Sequence, residues 1–378
     1  MTDIMIIIDG MTDRPCTQLN NQTPLEYADC INIRRLGTLG ATGKFSVKAE
    51  GFPVESLPCI LTLLGVDAGD IPHGRACLEA YAESLDVGEA DLVLRCNLVR
   101  IENERLASSC CEDLSANDFT SFAEKTRQLS RQGMQFHHMG SYKNLLIMEN
   151  AASTVHTLKT CAPHENIGEL FSRLIPNCDI LSKLVEDSIQ LLNPYRKDGE
   201  PYYALLPWGE SVKQQLPSFQ TLYKGTSTSV CATEIVRGLS LAMGMIVPQI
   251  NGATADTDTD LASKLDEVIH SVGKNEFILL HINGTDEAAH RRNPKEKAAF
   301  LKRIDEIVIG PLMDRIPDGT GILICSDHST LSETGAHQGD LQPFYLYRKA
   351  TQPSDDLGII DGRNAVSLLT NYRGGQHG

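Results

Sequence analysis

The stretch Gly321-Ile322-Leu323-Ile324-Cys325-Ser326-Asp327-His328 decides the fold of this chain. It begins with a short apolar run that has the length and composition of a buried β-strand. A carboxylate and an imidazole, Asp327 and His328, follow almost directly after that run. Because burying an unpaired charge is very unfavourable, we expect a cation to bind where this strand ends.

Two further apolar runs end in a similar way. Residues 4–8 are followed by Asp9, and residues 277–282 are followed a few positions later by Asp286. Short apolar strands that alternate with helical patterns are typical of an α/β protein with a largely parallel sheet. Ligands of such sheets bind outside the carboxyl ends of the strands, so we expect the three aspartates to converge there.

Imidazoles accompany these aspartates at spacings that suit a metal site. His290 is four residues after Asp286, so both side chains lie on one face if a helix begins there. The same spacing also occurs on ordinary solvated helices. His337 follows a polar loop that would let it turn back toward the site.

Three carboxylates and three imidazoles fit two metal sites with mixed oxygen and nitrogen ligands. Such sites suit Mn²⁺ or Zn²⁺, and Mg²⁺ less well. Paired divalent ions commonly serve phosphoryl transfer. The six candidate ligands are Asp9, Asp286, His290, Asp327, His328 and His337.

Ser56 is the candidate nucleophile for this chemistry. Residues 51–58 are rich in turn-forming residues and lead into an apolar stretch that ends at Gly65, which predicts a short helix. The positive end of the helix dipole would favour an alkoxide or a phosphate at the serine. A serine that only caps the helix is the more common case, so the local sequence leaves both interpretations open.

Composition excludes several classes of protein. The 378 residues carry a formal net charge of −15, which argues against a nucleic-acid partner. No apolar segment is long enough to span a membrane. Eleven cysteines without a CxxC pair, and no signal peptide, predict free thiols and a cytoplasmic location. The oligomeric state stays open.

A long segment with its own strands and helices separates the first two apolar runs. A stretch of this size is too long for a surface loop. We therefore predict a catalytic domain of residues 1–78 and 222–378, interrupted by a smaller inserted α/β or α+β domain of residues 79–221. Its predicted strands are 90–99, 145–148 and 202–206, and its predicted helices are 119–129 and 180–191.

Short motifs, each weak alone, follow one another in a specific order along nearly the whole chain. They are Asp9-Gly10, Asp13-Arg14-Pro15, Thr23-Pro24-Leu25-Glu26, Leu63-Leu64-Gly65, Gly74-Arg75, Leu78-Glu79-Ala80, Arg95-Cys96-Asn97-Leu98-Val99, Leu216-Pro217-Ser218-Phe219, Thr285-Asp286-Glu287-Ala288-Ala289-His290, Arg303-Ile304-Asp305 and Asp327-His328-Ser329-Thr330. In this order they resemble the archaeal-type, cofactor-independent phosphoglycerate mutases, a family of the alkaline phosphatase superfamily.

The resemblance implies an alkaline-phosphatase-like domain, with a mostly parallel sheet and helices on both faces, and an inserted substrate-handling domain. It also implies two divalent metal ions, most simply Mn²⁺. One ion would be held by Asp9, Ser56, Asp327 and His328, and the other by Asp286, His290 and His337. Ser56 would take the phosphoryl group of 3-phosphoglycerate and return it to the 2-hydroxyl, without a bisphosphoglycerate cofactor.

Some positions depart from the family pattern. Val54-Glu55-Ser56-Leu57 stands where the family has Pro-Gly-Ser-Asp, and residues 108–113 replace Asp-Tyr-Ser-Ala-Gly-His. Lys143-Asn144 stands in place of Arg-His, which removes a bidentate anion binder and a titratable donor. The remaining candidates for binding a substrate phosphate or carboxylate are Arg75, Arg95, Lys143 and Arg196.

These departures leave several functions open. The partner is expected to be a small phosphorylated metabolite, and the leading hypothesis is a phosphoglycerate mutase. A homoserine-kinase-like phosphotransferase or a phosphomonoester hydrolase on the same scaffold is the alternative. A non-catalytic metal-binding protein is a third possibility, although such a protein has no need of Ser56.

Overall fold

The computed structural model divides the chain into two compact units. It describes residues 2–111, 113–197, 199–354 and 356–374. Unit 1 consists of Met1–Ile71 and Gln215–Gly378, and unit 2 is the intervening Pro72–Gln214. These boundaries lie a few residues before those expected from the sequence, and the substrate-handling role of unit 2 stays a prediction.

The helices and strands are numbered in chain order. The strands are β1 Asp3–Ile8, β2 Ala41–Ser46, β3 Leu92–Glu102, β4 Arg105–Ser108, β5 Met134–Gly140, β6 Lys143–Met148, β7 Tyr202–Val212, β8 Ser227–Val230, β9 Phe277–Ile282, β10 Gly321–Cys325, β11 Ser329–Thr330, β12 His337–Gln338, β13 Gln342–Arg348 and β14 Ile359–Asp361. The α-helices are α1 Pro24–Ala28, α2 Ile31–Leu39, α3 Ser56–Leu63, α4 Ala76–Ala82, α5 Ala116–Thr126, α6 Asp179–Leu192, α7 Phe219–Tyr223, α8 Glu234–Ala242, α9 Leu261–Ser271, α10 Gly284–His290, α11 Pro294–Ile304, α12 Gly310–Arg315 and α13 Ala365–Asn371.

Unit 1 contains a seven-stranded sheet in the order β14-β2-β13-β10-β1-β9-β8. Strand β1 is central and pairs in parallel with β10 and β9, while β13 runs antiparallel to both β10 and β2. Every residue of β1, β9 and β10 is buried, as expected for central parallel strands covered on both faces. The predicted α/β class with a mostly parallel sheet is confirmed.

The core of unit 1 follows from the alternation of side chains along these strands. Ile4 and Ile278 pack on one face with Leu265 of α9 and Leu301 of α11. Residues of the opposite face, such as Met5, are equally buried. Both faces of the sheet are covered, and for this reason the strands are apolar at consecutive positions and not at alternate ones.

Unit 2 is built on an antiparallel sheet. Strand β3 pairs with β4, β6 and β7, and β6 also pairs with β5. Helices α5 and α6 cover one side of this sheet through an apolar cluster that includes Leu94, Leu146 and Leu184. Unit 2 is thus an α+β unit, the second of the two classes expected for it. Among the described residues, no helix has both the length and the apolar composition needed to cross a membrane.

Candidate active site

The parallel register of β1, β9 and β10 brings three carboxylates to one edge of the sheet. Ile8 lies opposite Ile282, and Ile7 lies opposite Cys325, so the three strands end side by side. Asp9 follows β1, Asp327 follows β10 after one residue, and Asp286 lies in the first turn of α10, just after β9. All three aspartates are buried. This is the convergence that the sequence predicts.

Gly10 permits this close approach. It has a φ of +60°, and a Cβ atom there would lie 2.5 Å from Thr330 Oγ1 and 3.0 Å from Asp286 Oδ1. Its backbone N–H donates to Asp327 Oδ1 at 3.2 Å. A side chain at this position would therefore force the carboxylates apart.

A first group of possible ligands consists of Asp9, Asp327 and His328. One donor atom from each of these residues lies within 4.8 Å of the others. The Nε2 atom of His328 is 3.3 Å from Asp327 Oδ2 and 3.6 Å from Asp9 Oδ1. Ser56 completes the group, with its Oγ atom 3.3 Å from Asp9 Oδ2 and 3.2 Å from His328 Nε2.

A second group consists of Asp286, His290 and His337. The two carboxylate oxygens of Asp286 lie 3.1 Å from His290 Nε2 and 3.3 Å from His337 Nε2. The two histidine Nε2 atoms are 3.1 Å apart. His328 stacks on His337 with ring centroids 4.0 Å apart, and it also lies within ligand distance of Asp286 and His337. The two groups are therefore adjacent.

The residues of the first group fit a divalent cation. Asp9 Oδ1 and Asp327 Oδ2 are buried carboxylate oxygens, and neither has a hydrogen-bond partner among the described residues. Burial raises the pKa of Asp9 well above its usual value, and the nearby Asp327 and Asp286 carboxylates raise it further. These carboxylate oxygens repel one another because they are buried close together. A cation bound between them would neutralise that repulsion.

The second group shows the opposite electrostatic balance. Burial raises the pKa of Asp286, but hydrogen bonds with His290 and His337 outweigh it and hold this pKa well below its usual value. The hydrogen bond with Asp286 raises the pKa of His290. Burial lowers the pKa of His337, and Asp286 more than reverses that effect. Asp286 thus holds the Nε2 atoms of His290 and His337 close to each other and to its own carboxylate.

Ser56 is the first residue of α3 and not the residue that caps it. The N-cap position is Glu55, whose side chain makes no capping hydrogen bond. The Ser56 hydroxyl instead donates to Asp9 and contacts His328. The loop before it is also tied to the site, since His337 Nδ1 lies 3.1 Å from the carbonyl oxygen of Val54. The capping interpretation of this serine is therefore not what the structure shows.

Sequence reasoning missed several polar residues around this site. His281 is buried in β9 with its Nε2 atom 3.1 Å from Asp9 Oδ2, and burial lowers its pKa to about 3. The hydroxyl of Thr330 donates to Asp286 Oδ1 at 2.6 Å. Lys297, fully buried on α11, donates to the backbone of Thr330 and to Asp13. An imidazole inside an otherwise apolar strand was the one signal that could have revealed His281.

Two of the four basic candidates in unit 2 form a cluster. The Nε atoms of Arg75 and Arg95 lie 2.7 Å and 3.1 Å from the two carboxylate oxygens of the buried Glu79. Arg95 also lies over the ring of Trp208, 4.3 Å from its centroid. Two guanidinium groups on one carboxylate leave a net positive charge, which suits the binding of an anion.

Lys143 lies near this cluster, and Arg196 does not. Lys143 is opposite Asn97 on the neighbouring strand, and therefore on the face that carries Arg95. Arg196 stacks on Tyr202, 3.7 Å from the ring centroid. Tyr202 and Trp208 are six residues apart on β7, about 20 Å at the rise of a β-strand. Arg196 therefore belongs to another part of the surface.

Two positions that depart from the family pattern have local roles. Asn144 is buried, its side-chain amide donates to the carbonyl oxygens of Cys96 and Tyr142, and its oxygen lies 2.8 Å from His138 Nδ1. In the stretch of residues 108–113, the Ser108 hydroxyl accepts hydrogen bonds from the backbone N–H groups of Cys110 and Cys111. Glu112, which belongs to the same stretch, lies outside the described residues.

Comparison with known proteins places this site in context. A family model described as Metalloenzyme superfamily matches residues 1–369. The 2,3-bisphosphoglycerate-independent phosphoglycerate mutase of Methanothrix thermoacetophila is 25% identical, over 98% of this chain and 99% of that protein. A solved structure of a protein from Pyrococcus horikoshii is 26% identical with a TM-score of 0.81, over 100% of this chain and 99% of that one. The cofactor-independent phosphoglycerate mutase of Thermoplasma acidophilum shares the fold at 18% identity and a TM-score of 0.60, over 97% of this chain and 98% of that one.

Proposed function

Since the chain belongs to the Metalloenzyme superfamily, we propose that it is a metal-dependent phosphoryl-transfer enzyme that interconverts 3-phosphoglycerate and 2-phosphoglycerate without bisphosphoglycerate. The observation that carries this proposal is the position of the Ser56 hydroxyl, 3.3 Å from Asp9 and 3.2 Å from His328. A half-buried serine in contact with the first ligand group, which adjoins the second, suits a nucleophile. The names of the relatives support the same reaction.

The ligand groups define what bound ions would contribute. Two divalent ions, with Mn²⁺ best suited to the mixed ligands, would lower the pKa of the serine hydroxyl and neutralise the phosphoryl oxygens. Asp9, Asp327 and His328 would hold one ion together with Ser56. Asp286, His290 and His337 would hold the other.

The protein groups then account for the transfer itself. The Ser56 hydroxyl donates its proton toward Asp9 Oδ2, which leaves an oxygen lone pair for attack on phosphorus. The bond from Ser56 Oγ to phosphorus forms as the bond to the 3-oxygen of the substrate breaks. The leaving 3-oxygen takes up the proton that the serine lost. The bond from phosphorus to the 2-oxygen of the same glycerate then forms as the bond to Ser56 Oγ breaks, and the proton of the 2-hydroxyl returns to the serine. The N-terminus of α3 directs its partial positive charge at this serine and favours the anionic states.

The basic residues of unit 2 are candidates for recognising the substrate. We propose that the cluster of Arg75, Arg95 and Lys143 binds the carboxylate or phosphate of phosphoglycerate. Glu79 would orient the two guanidinium groups through its hydrogen bonds. Arg196, with its ring contact to Tyr202, is the weaker candidate. A cytoplasmic location also stays a prediction.

One observation favours a second candidate, a phosphomonoester hydrolase. Asn144 is committed to backbone carbonyl groups and His138, so the position that carries a titratable histidine in the family has a structural role here. Loss of a substrate contact could release the glycerate before the second transfer, in which case water would take the phosphoryl group from Ser56. A homoserine-kinase-like reaction would use the same nucleophile region with ATP.

The test is an assay of the purified protein with Mn²⁺ and 3-phosphoglycerate, without added bisphosphoglycerate. We expect 2-phosphoglycerate, which an enolase-coupled assay detects, and a phosphate on Ser56 by mass spectrometry. Ser56→Ala should lower the rate by about a thousandfold or more, because it removes the nucleophile. Cys59→Ala is the matched control, since it changes a buried residue on the next turn of the same helix.

The other outcomes separate the alternatives. Phosphate release without isomerisation would select the hydrolase, and an ATP-dependent product from homoserine would select the kinase. A protein that binds no divalent metal at neutral pH, measured by elemental analysis, would contradict all the catalytic proposals.

A further inference from the structure

His281 is an unusual residue for the position that it occupies. It lies in the buried strand β9, whose other residues are all apolar, and only 1% of its side chain is exposed. Its Nε2 atom is 3.1 Å from Asp9 Oδ2, while its Nδ1 atom has no hydrogen-bond partner among the described residues. Burying a half-satisfied imidazole is unfavourable, so the single hydrogen bond to Asp9 needs a reason.

We propose that His281 is a positioning residue that determines which oxygen of Asp9 faces the metal ion. The inference rests on the metal site of the proposed function. A carboxylate oxygen only accepts hydrogen bonds, so Nε2 is the protonated ring nitrogen of His281. Its N–H group donates a hydrogen bond to Asp9 Oδ2. The Ser56 hydroxyl donates to the same oxygen at 3.3 Å. Asp9 Oδ1 is buried and has no hydrogen-bond partner in the described part of the chain, so it is the oxygen left for the ion.

The strand and a buried lysine hold His281 in place. His281 lies opposite Ile7 in the parallel pair of β9 and β1, so its backbone is fixed relative to the strand that directly precedes Asp9. The buried Lys264 donates from Nζ to the carbonyl oxygen of His281 at 3.3 Å. The imidazole therefore keeps the Asp9 carboxylate from rotating, as outer hydrogen-bond partners commonly do for metal ligands.

Two amide replacements test this role. In His281→Gln the side-chain amide nitrogen takes nearly the place of Nε2 and can still donate to Asp9. In His281→Asn the shorter amide cannot reach it. We expect His281→Asn to weaken Mn²⁺ binding by about 10- to 100-fold, the range seen when such a partner is lost, and His281→Gln to stay within about threefold of the wild type.

Mn²⁺ affinity is measured on the metal-stripped full-length protein by competition with a fluorescent chelator. Leu279→Ala is the control, because Leu279 is fully buried on the same face of the same strand. It should lower the free energy of unfolding by about 2–5 kcal/mol and leave Mn²⁺ affinity unchanged. If His281 had only a structural role, Mn²⁺ affinity would follow the free energy of unfolding in all three variants. Leu279→Ala would then weaken Mn²⁺ binding as well.

The outcomes separate the inference from the function on which it rests. Equal Mn²⁺ affinity in the wild type and His281→Asn, or equal losses in His281→Asn and His281→Gln, would overturn the positioning role alone. A wild-type protein that binds no Mn²⁺ would overturn the proposed function and the inference together.

Discussion

Replacing Lys297 by methionine should lower the free energy of unfolding by about 4 kcal/mol. The side chain of Lys297 is completely buried on α11. Its three ammonium protons reach three acceptors, the carbonyl oxygens of Thr330 at 2.7 Å and Thr12 at 3.1 Å, and Asp13 Oδ2 at 3.1 Å. The lysine thus connects the loop after β1, which contains Asp9, with strand β11, which directly follows the Asp327-His328 pair.

The magnitude follows from what the substitution leaves behind. Removing one partner of a buried ion pair costs about 3–5 kcal/mol, because the charge of Asp13 stays buried. The carbonyl oxygen of Thr330, which would lose this donor, would add about 1–3 kcal/mol. The carbonyl oxygen of Thr12 keeps the backbone N–H of Thr330 at 3.2 Å. Asp13 keeps the hydroxyl of Ser332 at 2.6 Å and its backbone N–H at 3.0 Å, and local relaxation offsets part of the loss. The contributions therefore do not add in full.

The assay is urea unfolding at pH 7, followed by circular dichroism. The single tryptophan, Trp208, lies in unit 2, so its fluorescence would not report directly on the unfolding of unit 1. Lys302→Met is the control on the same helix, since Lys302 is exposed and lies 3.9 Å from Glu306. Its effect should be within about 0.5 kcal/mol.

A double variant gives the sharper comparison. Adding Asp13→Asn to Lys297→Met removes the buried charge that the first change exposes. The double variant should therefore lose less stability than the sum of the two single variants. A loss below about 1 kcal/mol for Lys297→Met, or strictly additive effects, would refute this reasoning.

Two further predictions concern pH and metal removal. Burial lowers the pKa of Lys264 from 10.5 to about 8, so the folded state binds fewer protons than the unfolded state between these values. The contribution of Lys264 to the stability is therefore most favourable above pH 10.5 and is lost as the pH falls through about 8. Lys264→Met should therefore be more stable than the wild type at pH 7 by up to about 3 kcal/mol, a difference that shrinks toward pH 10. Unfolding curves of both proteins from pH 7 to 10 measure it, and a constant difference would contradict it. For metal removal, Mn²⁺ at a hundred times its dissociation constant should stabilise the protein by about 2.7 kcal/mol, so EDTA should lower the melting temperature in thermal scans, and an unchanged value would argue against a metal site.

The central strands were predictable because their signal is local. The apolar runs of residues 277–282 and 321–325 coincide with β9 and β10, and the run of residues 4–8 is β1 without its first residue. A strand buried on both faces must be apolar at every position, so its bounds are readable from the sequence. The aspartates that follow these strands were found for the same reason.

Lys297 and Thr330 were not predictable because nothing in their local sequence distinguishes them. Lys297 lies in a charged segment that resembles a solvated helix, yet it is fully buried. His281 lies within an apolar run, and the pattern of that run predicts only a buried strand. The polar contacts of these residues depend on partners far away in the chain, as with His281 and Asp9, which are 272 residues apart.

The sequence by itself determined the α/β class, the strands that end in carboxylates and the residue types suited to two metal ions. These properties follow from local composition and periodicity, which reflect burial along each strand. Only the tertiary structure decided that Ser56 contacts Asp9 and His328 and does not cap its helix, and that His281 Nε2 lies 3.1 Å from Asp9 Oδ2. Ser56 and His328 are 272 residues apart, and their 3.2 Å separation depends on the strand order and register of the whole sheet. A hydrogen bond forms only when its two atoms lie about 3 Å apart. Strand order and register decide which atoms come this close, and the local sequence pattern does not contain that information.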